Sequence, residues 1–351
     1  MTKTFNQLVR DYKGKKREDE TWNGLKVLVM GANTGTIYVN AGGDLPHDPA
    51  SLNKLMVFYI AQRAIKQGLI DLDDTITVSA KAAAVQYTKL ERGDRISLRT
   101  ALHAMMTNSD NGATTVIAEQ LKKAMDIPSL VGHMNRTADR LGMKDTNYSN
   151  THGLPGSNST TAYDIALLTR QIAKEFPAAA DKFMSNDSVT YDGQFFPAHH
   201  KLNRPGAEQQ SEFEVAAKTG FTNKARYNIS AIVTAPDGRQ LIVVVMGANW
   251  TTQRELDRMG LPMRGSSDVK GNNVRDELVQ QLAREFLPKP RGRKIAMSAE
   301  SAIADLPQEV LAQSTALAHR LIADVDGQNT NQPQGEAQIP PKAKSRDARF
   351  V

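Results

Sequence analysis

The chain has 351 residues, 40% hydrophobic and 23% charged, with no cysteine and a net charge of +6. A chain of this length builds one large domain or two modest ones around a real core, and the absence of Cys excludes disulfides, a thiolate nucleophile and cysteine-ligated zinc or iron–sulfur centres. Residues 1–23 hold six Lys/Arg against four Asp/Glu and 289–351 hold nine against seven, so the middle carries only +2 and no nucleic-acid partner is expected.

In chain order, residues 25–30 and 36–40 predict two short strands joined through Asn33-Thr34-Gly35, whose Asn and Gly accept positive φ. After Asp48-Pro49-Ala50, the residues Leu52, Leu55, Met56, Tyr59 and Ile60 recur at helical spacing, and Gly68 supplies a C-terminal stop. Ser51 therefore stands at the head of a largely buried helix. Ser97 caps a helix running to about Thr107, and another starts after Asn111 and runs to about Lys123. Between them Asn108-Ser109-Asp110-Asn111 is turn chemistry. Helices follow over 130–141, closed by Gly142, and over 162–176, ended by Pro177. The pattern then switches to β-branched runs at 212–217, 228–235 and 240–247, the last two joined by Pro236-Asp237-Gly238, and a final helix is predicted over 274–286.

Strands at both ends with helices between them predict an α+β fold: an antiparallel sheet flanked by helices, with an inserted helical subdomain. The chain divides into a polar N-terminal tail (1–23), a central domain (24–288) and a largely disordered tail (289–351). In that tail Val310, Leu317 and Leu321 allow one amphipathic helix over 307–323, and 327–344 is rich in Gln, Asn and Pro. The longest apolar run, 241–248, falls far short of the ~18 residues a membrane span needs, so no transmembrane segment is expected. The first twenty residues lack the apolar stretch of a secretory signal.

Ser51-Leu52-Asn53-Lys54 sets a hydroxyl and an amine one helical turn apart on the same face. A serine hydroxyl is a poor nucleophile until a base takes its proton, and a desolvated Lys beside other cations has a pKa low enough to serve. A lone copy of this tetrapeptide means little, and Ser267-Asp268-Val269-Lys270 is a second copy in a Gly- and Ser-rich loop. The first copy differs in its company: Ser109-Asp110-Asn111 follows in an interhelical turn and Lys218-Thr219-Gly220 ends a strand.

With these motifs and the stretches PASLNKLM, AMMTNSDNGATTVIAE, LGMKDTNYSNTHGLPG, STTAYDIALL and AAKTGFTNKARYN, the chain resembles the active-site serine penicillin-binding proteins. The specific likeness is to their D-alanyl-D-alanine carboxypeptidase family, low-molecular-mass members of the β-lactamase/transpeptidase-like superfamily, and it runs from about Leu25 to Leu287. The resemblance implies that 24–288 is the catalytic domain, that Ser51 is the acylated nucleophile and that Lys54 is its base. It makes Ser109 a proton relay between Lys54, Lys218 and the leaving amine, and gives Asn111 the substrate's peptide carbonyl. Lys218 and Thr219 bind the terminal carboxylate, Gly220 lets substrate approach the strand, and the amides of Ser51 and Phe221 form an oxyanion hole. Arg204 stands where relatives set an arginine against the same carboxylate.

The implied reaction is removal of the terminal D-Ala from peptidoglycan stem pentapeptides, without metal or other cofactor and with β-lactams as covalent inhibitors. No Glu-x-x-Leu-Asn pentapeptide stands between Asn111 and Lys218, so peptide hydrolysis is favoured over lactam hydrolysis. The 63 residues after Pro288 show no strand pattern, which keeps D,D-endopeptidase cleavage of cross-bridges as an alternative. A non-catalytic peptidoglycan-binding or partner-binding relative is the other. The resemblance implies extracytoplasmic, periplasmic work, with the export signal removed from this chain or missed. His152 is expected to anchor a loop near the site, His199-His200 to lie in a surface loop, and Met105, Met106 and Met134 to fill core gaps.

Overall fold

The computed structural model describes residues 25–287, except 155, 192, 208–209, 250, 253–267 and 270. The expected tails, with the helix over 307–323, lie outside the described residues. So do Ser267 and Lys270, while Asp268 and Val269 between them form a two-residue strand.

Five strands make one antiparallel sheet: β1 (Lys26–Gly31), β2 (Ile37–Ala41), β7 (Glu214–Thr222), β8 (Arg226–Thr234) and β9 (Gln240–Ala248), in the order β2-β1-β9-β8-β7. In β9, Ile242, Val244 and Met246 enter one hydrophobic core and Leu241, Val243 and Val245 enter another on the opposite face. Both faces are covered, which is why this antiparallel strand reads as an unbroken apolar run rather than an alternating one. The second core is closed by α8 (Gly271–Phe286), the last helix among the described residues, through Val274, Leu278, Val279, Leu282 and Phe286.

The other face carries a helical region inserted between β2 and β7. Its centre is α1 (Asn53–Lys66), preceded by a 3-10 turn at Ala50–Leu52 and buried along nearly its whole length. Around it lie the short α2 (Ala80–Ala83), α3 (Leu98–Thr107), α4 (Asn111–Ala124), α5 (Leu130–Arg140), α6 (Ala162–Glu175) and α7 (Pro177–Met184). Ser97 caps α3 by accepting from the Thr100 amide, Asp110 caps α4 through Ala113, and Thr161 caps α6 through Asp164. Met105, Met106 and Met134 are buried in this core.

As expected, α6 stops just before Pro177; after a break at Phe176 that proline occupies the first turn of α7, a helix with no expected counterpart, where its missing N–H costs nothing. One expectation needs correction. Lys218-Thr219-Gly220 lies inside β7, which continues to Thr222 before turning into β8. Two small hairpins had no expected counterpart: β3 (Thr75–Thr77) with β4 (Arg95–Ser97), and β5 (Ser188–Tyr191) with β6 (Gln194–Pro197). At three or four residues per strand, their side-chain alternation is too short to stand out.

Candidate active site

β7 is an edge strand of the sheet, and the head of α1 and the turn between α3 and α4 face it. Three separated stretches of sequence meet there. Lys54, fully buried, places Nζ 2.9 Å from Ser51 Oγ, 2.8 Å from Asn111 Oδ1 and 3.1 Å from the His152 carbonyl oxygen. Asn111 donates through Nδ2 to the Gln86 carbonyl at 2.7 Å, which fixes its amide with the oxygen toward Lys54.

The partners decide what the lysine can do. Asn111 Oδ1 and His152 O only accept, so they take two hydrogens of a neutral amine; Ser51 Oγ is the only neighbour of the three able to donate to the remaining lone pair. Burial lowers the Lys54 pKa from 10.5 to about 7, with the Asp110 carboxylate pulling weakly the other way. A substantial fraction is therefore a free base near neutral pH.

Lys218 is also fully buried, donating to Ser109 Oγ at 3.0 Å and to the Thr219 carbonyl at 2.8 Å. Burial, then the nearby charges of Lys54 and Arg275, hold its pKa well below the usual lysine value. Two residues reach this geometry only in the left-handed region: Ala50 at φ 49° and Ser109 at φ 64°. Each costs about 1–2 kcal/mol and persists only where surrounding contacts over-determine it.

Those contacts are visible. Asp48 Oδ1 accepts from the Ala50 amide at 2.9 Å. Asn228 of β8, fully buried, donates to the carbonyls of Asp48 at 3.0 Å and Pro49 at 3.3 Å while accepting from the Gly247 amide at 2.9 Å. On the Ser109 side, Asp110 accepts from Thr88 Oγ1 at 2.9 Å as well as capping α4. Gly220 approaches so closely that a Cβ there would stand 3.1 Å from the Ser51 amide nitrogen and 2.9 Å from the Pro49 carbonyl oxygen. The Ser51 amide thus sits against the rim of β7, next to Phe221. The Phe221 ring packs on Tyr227 with centroids 4.4 Å apart.

Thr219 is buried at the strand's edge, paired in register with Ile229. The structure brings together the Ser51, Ser109 and Lys218 groups, whereas Arg204 turns Nη2 to the Ala198 carbonyl of its own loop at 3.2 Å. His152 accepts at Nδ1 from the Leu154 amide, 3.2 Å, and burial lowers its pKa to about 4. The expectation of a surface loop at 199–200 is wrong for His200, which is buried. Among the described residues no cluster of three or more His, Asp or Glu is grouped to hold a metal ion.

Sequence reasoning missed Asn228 and Asn53. The latter donates to Asn158 Oδ1 at 2.8 Å and to the Asn150 carbonyl at 3.0 Å, pinning the 149–158 loop against α1. A signal existed: both are polar residues set in otherwise apolar buried runs, where an unpaired amide is too costly to keep.

A family model described as D-alanyl-D-alanine carboxypeptidase matches residues 14–250. The D-alanyl-D-alanine carboxypeptidase DacD of Escherichia coli K12 is 34% identical over 240 residues, 65% of this chain and 59% of that protein. DacA of Haemophilus influenzae is 26% identical over 302 residues, 79% of this chain and 75% of that protein. Among solved structures, penicillin-binding protein 5 of Haemophilus influenzae superposes with a TM-score of 0.62 at 25% identity, covering 78% of this chain and 73% of its own.

Proposed function

Since the chain belongs to the D-alanyl-D-alanine carboxypeptidase family, we propose that it removes the terminal D-Ala from peptidoglycan stem pentapeptides through an acyl-enzyme on Ser51. The observation that carries this reading is the buried Lys54 Nζ standing 2.9 Å from Ser51 Oγ. As the oxygen attacks the carbonyl carbon of the scissile bond, its proton passes to Nζ. Charge builds on the carbonyl oxygen, and the Ser51 and Phe221 amides are the donors assigned to it.

Collapse of that intermediate breaks the C–N bond, and the departing amine takes a proton relayed from Lys54 and Lys218 through Ser109. Water then attacks the acyl-enzyme; its proton passes to Lys54 and on to Ser51 Oγ as the ester C–O bond breaks, so that Ser51 and the neutral lysine are both regenerated. Asn111 and the β7 edge hold the peptide in line, and the Thr219 hydroxyl with the buried Lys218 charge favours the terminal carboxylate. Arg204 is the second group assigned to that carboxylate, reached by leaving the Ala198 carbonyl. β-Lactams acylate the same oxygen, and the place of action is extracytoplasmic.

Purified full-length protein incubated with a synthetic stem pentapeptide should release one D-Ala per peptide, with Ser51→Ala inactive. Release from cross-linked muropeptides but not from pentapeptide would instead establish the endopeptidase alternative, and binding without either product the non-catalytic one.

A further inference from the structure

Ser109 must face Lys218 for the relay to work, yet its backbone is held in a conformation that a serine does not adopt unaided. The residue before it supplies a handle. The Asn108 carbonyl lies 2.8 Å from His199 Nε2, and because a carbonyl only accepts, that nitrogen carries the hydrogen. Asn108 belongs to the helical region and His199 to the loop that leads back to the sheet, so this bond bridges the two sides of the cleft.

His199 is itself braced. Arg275 of α8 donates through Nη2 to the His199 carbonyl at 2.9 Å and pairs with Asp276 Oδ1 through Nε at 2.8 Å. Asp276 Oδ2 accepts from the Lys201 amide at 2.9 Å, and both side chains are buried, 2% and 0% exposed. Residues 199–201 are thus fixed by a buried ion pair on α8, whose Arg275 charge also acts on Lys218. A second tie crosses the same gap, where Lys89 Nζ sits 4.3 Å from the centroid of the Phe196 ring, one loop on from the residues that Asn111 holds.

We propose that His199 is a positioning residue for acylation: its hydrogen bond to the Asn108 carbonyl closes one end of the cleft and holds Ser109 against Lys218, with Arg275 and Asp276 of α8 bracing it. The inference rests on the acyl-enzyme reading above. His199 touches no substrate; it acts through the Asn108–Ser109 peptide. The consequence is that α8, on the far face of the sheet, is coupled to the proton relay.

Acylation of the full chain by a fluorescent penicillin tests this, with the rate constant of the covalent step separated from the initial affinity and the melting transition recorded for each variant. His199→Leu and His199→Ala should slow the covalent step about 10- to 100-fold with affinity unchanged. His199→Gln, whose amide nitrogen reaches where Nε2 stood, should recover most of the rate. A covalent step within about twofold of wild type in the folded Leu or Ala variant, or a Gln variant no faster than they are, overturns the inference. A wild-type chain that takes no label overturns the acyl-enzyme reading and this inference with it.

Discussion

Gly153 packs against the carbonyl of Ala50, the residue before the nucleophile, so tightly that a side chain at 153 would overlap it. Its φ of +92° is a second reason for glycine there. The loop that supplies the His152 carbonyl to Lys54 is therefore also the mould for the Ala50–Ser51 peptide.

Gly153→Ala should lower stability by about 2–4 kcal/mol and slow penicillin acylation by about 100-fold, since the Ser51 peptide must shift. Gly142→Ala is the matched control: its φ is +77°, but nothing lies within 4 Å of the added carbon. It should cost about 1 kcal/mol and leave acylation unchanged. Equal acylation rates in the two variants contradict the close-packing argument.

The Lys54 pKa of about 7 sets a pH profile. Below it Nζ is an ammonium with no lone pair to accept the Ser51 proton, so the acylation rate should fall about tenfold per pH unit on the acid side and level off above. Rates measured between about pH 5 and 9 should show this rise, and a flat profile would remove Lys54 from the role of base. Lys54→Arg, permanently charged, should acylate at least about a thousandfold more slowly while still folding less stably than wild type, because it buries a charge.

Asn228→Asp keeps the shape but cannot donate to the Asp48 and Pro49 carbonyls, and as a buried carboxylate it faces both of their oxygens. It should be more destabilising than Asn228→Ala, which costs about 2 kcal/mol. Both should slow acylation by loosening the left-handed Ala50. Thermal unfolding read beside labelling distinguishes this from a purely structural role, in which rate per folded molecule stays constant.

Arg204→Met should raise KM for pentapeptide about tenfold with kcat within twofold, the signature of a group that holds the substrate carboxylate without joining the chemistry. An unchanged KM would leave Arg204 as a loop residue bonded to Ala198.

Much of this was legible in the sequence because the carriers are local. Helical spacing of Leu52, Leu55, Met56 and Tyr59 sets α1 and so the Ser51–Lys54 pair, and Ser97 announces a cap found in place. The β8 to β9 turn at Pro236-Asp237-Gly238 was equally readable. What stayed hidden depends on contacts distant in the chain. Asn228 reaches Pro49 across 179 positions, and His199 reaches Asn108 across 91. The apolar run around Asn228 signals that its amide is paired, but nothing near either residue in the chain says with what. The extension of β7 past Gly220 was missed for a related reason: glycine has little β propensity of its own, and Gly220 is kept in the strand by pairing with Asn228.

The central claim is that Lys54 turns Ser51 into the nucleophile. Intact-mass measurement of the full chain after exposure to benzylpenicillin, followed by peptide mapping, tests it most directly. The account predicts a single adduct of one drug molecule on the peptide containing Ser51, absent in Ser51→Ala and strongly slowed in Lys54→Arg. An unmodified protein, or an adduct mapped to any other residue, contradicts it.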